Sequence, residues 1–233
     1  PKTQDMVDCR LAYDMPPTAL GALPDVLVSD GTNVFMRHLK FDPASLAIGS
    51  ANDNSKAKRG AYPATGGHLM SVAGLLDDQW FNQTFWTVDG KAHSKLLVFN
   101  SDTAFGIKPF AANARHARAI FTPGSKGYKL FANQRPSHRP KWNCQIPVRV
   151  RAMVLTESVL FAAGTPDRVE QKAPWSAFDG ERGGTLWCID VTDGKKLAEY
   201  PLENAPAFDA MAAANGQLFI ATTDGNLICF RPN

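Results

Sequence analysis

The 233 residues carry 25 Lys and Arg against 22 Asp and Glu, a net charge of +3. That excess is too small to track a phosphate backbone, so nucleic acid is not an expected partner. Hydrophobic residues at 44% with 10% aromatics are ample for a buried core and exclude a disordered or collagen-like chain. No apolar run approaches the roughly 18 residues of a membrane span.

The 16 Pro and 18 Gly are spread along the chain, which favours many turns over long helices. The first residue is Pro1, so any signal peptide would lie upstream. Four cysteines, Cys9, Cys144, Cys188 and Cys229, lack the C-x-x-C spacing of zinc or thioredoxin-type sites. They read as small buried apolar residues, with a Cys9–Cys144 bridge open to the chain in an oxidising compartment.

In chain order, Val26–Ser29 and Val34–Phe41 read as two strands joined by an Asp30-Gly31 turn. Residues 43–66 have no apolar periodicity and read as a polar loop insertion. Lys95–Asn100, Thr103–Lys108 and Tyr128–Asn133 are further short strands. The segment Gln134–Trp142, with Arg135, His138, Arg139 and Lys141 around two prolines, suggests either an RNA- or acid-binding patch, since cations sit beside an aromatic, or, more simply, a solvated loop between sheets.

The C-terminal third is the most legible. Ala210–Ala214, Asn215-Gly216 and Gln217–Thr222 read as strand, tight turn, strand, since Asn-Gly between apolar runs is a strong hairpin signal. Asp224-Gly225 is a second turn before a third strand ending at Phe230. Ala152–Ala163 lines up with Ala210–Ala221 at a constant offset of 58, and Gly184–Asp190 with Gly225–Arg231 at an offset of 41. The difference of 17 falls within 165–183, a stretch rich in Pro, Gly and charge that reads as an exposed loop. Lys195–Leu202 supplies a fourth strand. Four antiparallel strands at a period of about 40 mark a β-propeller blade. The fold expected is all-β, with fourteen to sixteen strands in roughly four blades, taken as one domain over 1–233 with loop insertions at 43–66 and 165–183.

Two resemblances follow from these residues. Cys188–Ala198 resembles the docking motif A-x-D-x-x-T-G-K-x-x-W of PQQ-like (pyrroloquinoline-quinone-like) propeller repeats, whose Trp packs onto the next blade. Asp190, Gly194 and Lys195 keep the pattern, while Ala198 stands where the Trp belongs. Leu23–Gly31, Met36–Leu39, Gly74–Phe81 and Phe85-Trp86 look like the C-terminal half of large bacterial PQQ-binding-like propellers. Asn82 and Gln83 replace a His-Arg pair of those relatives. The resemblances span about residues 23–233 and imply an extracytoplasmic, periplasmic or secreted setting.

A PQQ-dependent dehydrogenase of this family would need a catalytic Asp, calcium ligands, an aromatic platform and often a vicinal disulfide. No Cys-Cys pair exists here. Asp77 and Asp78 are the candidate catalytic and metal-binding carboxylates, and Trp80 and Asn82 the candidate cofactor contacts, because hard oxygen donors suit Ca²⁺. The competing reading has Asp77-Asp78 closing a turn before a strand. His38, His68, His93, His116 and His138 have no metal-binding spacing, and 113–118 is a weak anion-site candidate. No nucleophile elbow or P-loop is present. The expected function is therefore a non-catalytic binding or interaction scaffold for a protein or a saccharide, with no cofactor. The alternatives are a PQQ- and calcium-dependent oxidoreductase acting on an alcohol or sugar, and a structural subunit whose ring a second chain completes.

Overall fold

The computed structural model describes residues 27–36, 39–50, 70–71, 86–89, 92–94, 96–109 and 128–231. The chain divides into two units, Pro1–His93 and Ser94–Asn233.

In the first unit, β1 (Val28–Ser29), β2 (Val34–Met36), β3 (Leu39–Phe41) and β4 (Ile48–Ser50) form one antiparallel sheet in chain order. The Asp30-Gly31 turn forms as expected, because the Asp30 carboxylate accepts the backbone N–H of Thr32 and Asn33 (2.9 and 2.7 Å). Val34–Phe41 is not one strand. Val34 pairs with Phe41 and Met36 with Leu39, so the segment is two strands lying side by side. The reading of 43–66 as loop is also corrected at its start. The Asp42 carboxylate accepts the N–H groups of Ala44 and Ser45 (2.8 and 3.0 Å), which closes a tight turn and returns Ile48–Ser50 as a strand against β3. Residues 51–66 lie outside the described residues. A second sheet in this part of the chain comprises β5 (Met70–Ser71), β6 (Trp86–Val88) and β7 (Ala92–Ser94).

The second unit holds three sheets. The first is β8 (Leu97–Phe99), β9 (Thr103–Pro109), β10 (Tyr128–Gln134) and β11 (Pro140–Ile146). The second is β12 (Val148–Leu155), β13 (Val159–Pro166), β14 (Gly184–Asp190) and β15 (Lys196–Leu202). The third is β16 (Pro206–Ala214), β17 (Gln217–Thr222) and β18 (Leu227–Phe230). Each is an antiparallel meander, and β12, the first strand of its sheet, packs beside β8 and β16, the first strands of the neighbouring two. First strand beside first strand is the packing of propeller blades. The described residues contain eighteen strands in five sheets, more than the sequence suggests. The surplus comes from β2, β3 and β4, short strands concealed in an apparent single strand and an apparent loop, and from β11.

Period-two alternation explains why the sheets stack. On β13, Leu160 and Ala162 face a core shared with Phe105, Leu130, Trp142 and Ile146 of the first sheet. Phe161 and Ala163 face the other way, into a cluster with Leu186, Leu202, Leu218 and Ile220. A sheet buried on both faces by its neighbours needs apolar residues at odd and even positions alike. The Asn215-Gly216 turn takes positive φ at both residues (52° and 71°), as a two-residue hairpin of matching twist requires.

The segment Gln134–Trp142 is not a connection between sheets. It is the β10–β11 hairpin of one sheet, with Ala132 paired to Trp142. Its prolines hide the strand in the sequence because Pro140 opens β11, where a missing N–H is tolerated. Trp142 is buried and donates its indole N–H to the Val191 carbonyl (2.9 Å) of the next sheet. Gly194 in the β14–β15 turn has φ 77°, and a Cβ there would sit 2.6 Å from the Trp142 ring. A tryptophan that packs onto the following sheet is therefore present one sheet before Ala198. In the β10–β11 turn His138 has φ 61°.

Candidate functional site

Asp77, Asp78, Trp80 and Asn82 lie outside the described residues, as do Cys9 and residues 113–118. Asp190, Gly194 and Lys195 have structural places. The Asp190 carboxylate accepts the Thr192 N–H (2.7 Å), Asp190 and Lys195 close the turn backbone to backbone (2.8 Å), and Gly194 receives Trp142. Among the described residues no group of three or more His, Cys, Asp or Glu could hold a metal ion. Cys144, Cys188 and Cys229 are free thiols. Two of the cations of 134–142 are engaged within their own sheet. Arg135 donates to the Asn100 carbonyl (2.6 Å) and lies 4.6 Å from the Phe99 ring, and Lys141 pairs with Asp102 (2.5 Å).

The chemistry-bearing side chains gather instead where β12 and β16 begin. In β12 the ladder shifts register between Val150 and Ala152, leaving Arg151 as the extra residue of a β-bulge. Gly164 sits opposite Val150, and a Cβ on it would collide with the Arg149 carbonyl. Only glycine lets the two backbones come this close. Arg151 donates to the Phe178 carbonyl (2.6 Å), and the Arg149 guanidinium lies 3.8 Å from the centre of the Phe178 ring. Burial holds both guanidinium groups below their ordinary pKa.

Phe178 belongs to the connection between β13 and β14, which carries a short helix, α1 (Ser176–Asp179). Ser176 and Ala177 are buried, and Trp175 packs edge-on to Phe178 with centroids 5.9 Å apart. Glu170 ties together the two limbs of this connection, a strap over residues 167–183, accepting from Arg182 at 2.6 and 3.1 Å and lying 3.2 Å from Arg168. The Arg182 hydrogen bond, and then the charges of Arg182 and Arg168, hold the Glu170 carboxyl below the usual carboxylate range. Outward, the strap shows Trp175 at 56% and Val169 at 49% exposure.

A second bulge lies at the equivalent place one sheet later. The β16–β17 register breaks between Pro206 and Met211, and the repeat offset places Phe208 and Asp209 where Val150 and Arg151 stand. Asp209 has φ 55°, a left-handed conformation that a non-glycine residue adopts at a cost. Loss of water around its carboxyl raises its pKa. Phe208 is 56% exposed. Here the strap has no counterpart. The β17–β18 turn is closed by Thr222 and Asn226 (2.9 Å), with Asp224 bonded to Thr222, Asn226 and Asn204.

Val169 and Trp175 are thus exposed on the connection whose Phe178 is braced by Arg149 and Arg151, and Phe208 is exposed at the bulge of the next sheet. None of these residues stands out in the sequence one by one. The signal was the 17-residue excess between repeats, which holds Trp175 and Phe178.

The fold defines an all-β protein of propeller-blade sheets. No family model matches the sequence, and no curated protein matches it. Many solved structures are similar to it, the following three among them. The computationally designed Ika4 protein shares 9% identity, with 89% of each chain covered and a TM-score of 0.41. For the designed Ika8 protein the identity is 8% over 92% of this chain and 50% of that one, with a TM-score of 0.42. BamB from Moraxella catarrhalis gives 13% identity over 90% of this chain and 60% of that one, with a TM-score of 0.43. The chain thus spans half of Ika8 and about three fifths of BamB.

Proposed function

We propose that this chain is a non-catalytic binding scaffold that docks another protein at the rim formed by the 167–183 strap and the β16 bulge. The observation that carries the reading is the exposure of Trp175 on the strap whose Phe178 is braced by half-buried Arg149 and Arg151, with Phe208 exposed at the next bulge, since Trp and Arg are among the residues that most often dominate protein interfaces. Bracing by Arg149 and Arg151 preorganises the strap, which lowers the ordering cost of binding. In this reading the chain takes neither PQQ nor calcium, performs no oxidation, and works in an extracytoplasmic setting.

The test is site-specific photocrosslinking in the native cells, with a benzophenone amino acid placed at Trp175 or at Glu157, which lies at the opposite end of β12. Protein adducts at position 175 and none at 157 are expected. Adducts at neither position, or equally at both, would overturn the rim as the docking surface.

A further inference from the structure

We propose that Lys108 and Lys129, directly opposite each other on β9 and β10, anchor an acidic segment of the docked protein through its carboxylates. The inference rests on the scaffold reading and names the chemistry that the partner brings.

The net charge of +3 conceals a strong asymmetry along the chain. Between Thr103 and Thr156 fall ten of the 25 Lys and Arg and none of the 22 Asp and Glu, so the rest of the chain has an acidic excess. Charge segregated in this way points to an oppositely charged partner. The stretch builds β9 to β12. Four of its described cations are engaged within the chain: Lys141 on Asp102, Arg135 on the Asn100 carbonyl, Arg151 on the Phe178 carbonyl and Arg149 on the Phe178 ring. Arg139 is exposed, so water solvates its charge.

Lys108 and Lys129 differ from all of these. Both are half-buried, and they are cross-strand partners in the β9–β10 ladder. The Lys108 ammonium lies 5.1 Å from the centre of the Phe131 ring. Among the described residues neither lysine forms an ion pair or a side-chain hydrogen bond. Loss of water, and then the charge of Lys129, hold Lys108 below its ordinary pKa. Like charges directly opposite on neighbouring strands are destabilising, and lysines withdrawn from water are normally paired. One ring beside one ammonium does not neutralise two charges, whereas carboxylates do.

The pair lies at the end of its sheet where the strap begins. Tyr128 pairs with Ile146 and Val148 with Pro166, so the start of β10, the start of β12 and the entry to the strap share that end. Val169 and Trp175 of the strap are exposed, and a protein segment with acidic and apolar side chains meets both kinds of surface. A nucleic acid is charged along its whole length and would also meet the exposed Asp179 and Glu181 of the strap. A protein confines its carboxylates to the lysines.

The test is an NMR titration of the full ¹⁵N-labelled chain with N-acetyl-tetraglutamate amide, beside its tetraglutamine analogue and a short oligothymidylate of equal charge. Saturable shifts centred on residues 106–108 and 128–130 are expected for the glutamate peptide, with a dissociation constant on the order of 1 mM that weakens about tenfold in Lys129→Gln. Lys129→Glu should abolish binding and leave the melting midpoint unchanged or raised, because it supplies across the strands the charge that the partner brings. No saturable shift, equal binding of the glutamine peptide, tighter binding of the oligothymidylate, shifts centred elsewhere, an unchanged titration in Lys129→Gln, or a midpoint lowered by Lys129→Glu would overturn the inference. Such a failure would leave the crosslinking result at Trp175 standing, so the two readings fail separately.

Discussion

Gly194 and Trp142 show how much one contact between neighbouring sheets carries. The indole fills the space that a side chain at 194 would need, and its N–H satisfies a Val191 carbonyl at the sheet junction. Trp142→Ala should lower unfolding free energy in urea by about 3–5 kcal/mol through the cavity it leaves. Trp142→Phe should cost less, keeping much of the packing but losing the hydrogen bond, itself worth about 1 kcal/mol. Gly194→Ala should cost at least about 1–2 kcal/mol from its left-handed φ alone, with the collision added. Asp209 works in the opposite sense. Its folded pKa is raised, so what it contributes to stability is complete below the unfolded carboxylate value and is lost as pH rises through the folded one. Asp209→Asn should therefore leave the neutral-pH melting midpoint unchanged or raise it. A clear drop on differential scanning calorimetry would show that the charge has a structural role.

The strap is the element whose behaviour follows most directly from charge. Glu170 has a lowered folded pKa, so its hold on Arg182 and Arg168 is fully present above the unfolded carboxylate value and fades as pH falls through the lower, folded one. Amide exchange across 168–183, corrected for the intrinsic rate, should rise between about pH 6 and about pH 3 while the β12–β13 amides keep their protection. Glu170→Gln should show the faster exchange already at the higher pH. Elements with strong local chemistry were legible in the sequence: Gly184–Asp190 is a strand over the predicted residues, and the Asn215-Gly216 hairpin lies where the dipeptide places it. Elements set by a capping side chain or hidden by proline were not. Asp42 turns an apparent loop into the entry to β4, and Pro136 and Pro140 make the β10–β11 hairpin look like a linker. The bulges at Arg151 and at Phe208-Asp209 were invisible for a further reason. A bulge depends on the backbone crossing opposite it, as at Gly164, and not on the bulged residue's own type.

At the scale of the molecule, repetition explains both the fold and the site. Each meander sheet offers two apolar faces, and within Ser94–Asn233 the sheets bury them against one another through alternating positions such as Leu160 and Phe161. The same repeat then varies at one place, a long strap in one sheet and a short turn in the next, and the proposed docking rim lies at that variation. No helix among the described residues is long and apolar enough to cross a membrane. The claim that the chain binds rather than oxidises is tested most directly by thermal unfolding of the full chain with and without PQQ and calcium together. A ligand held by the folded state raises the midpoint in step with its concentration. The account predicts an unchanged midpoint at every concentration. A saturable rise that needs both PQQ and calcium, and that disappears in Asp78→Ala, would contradict it.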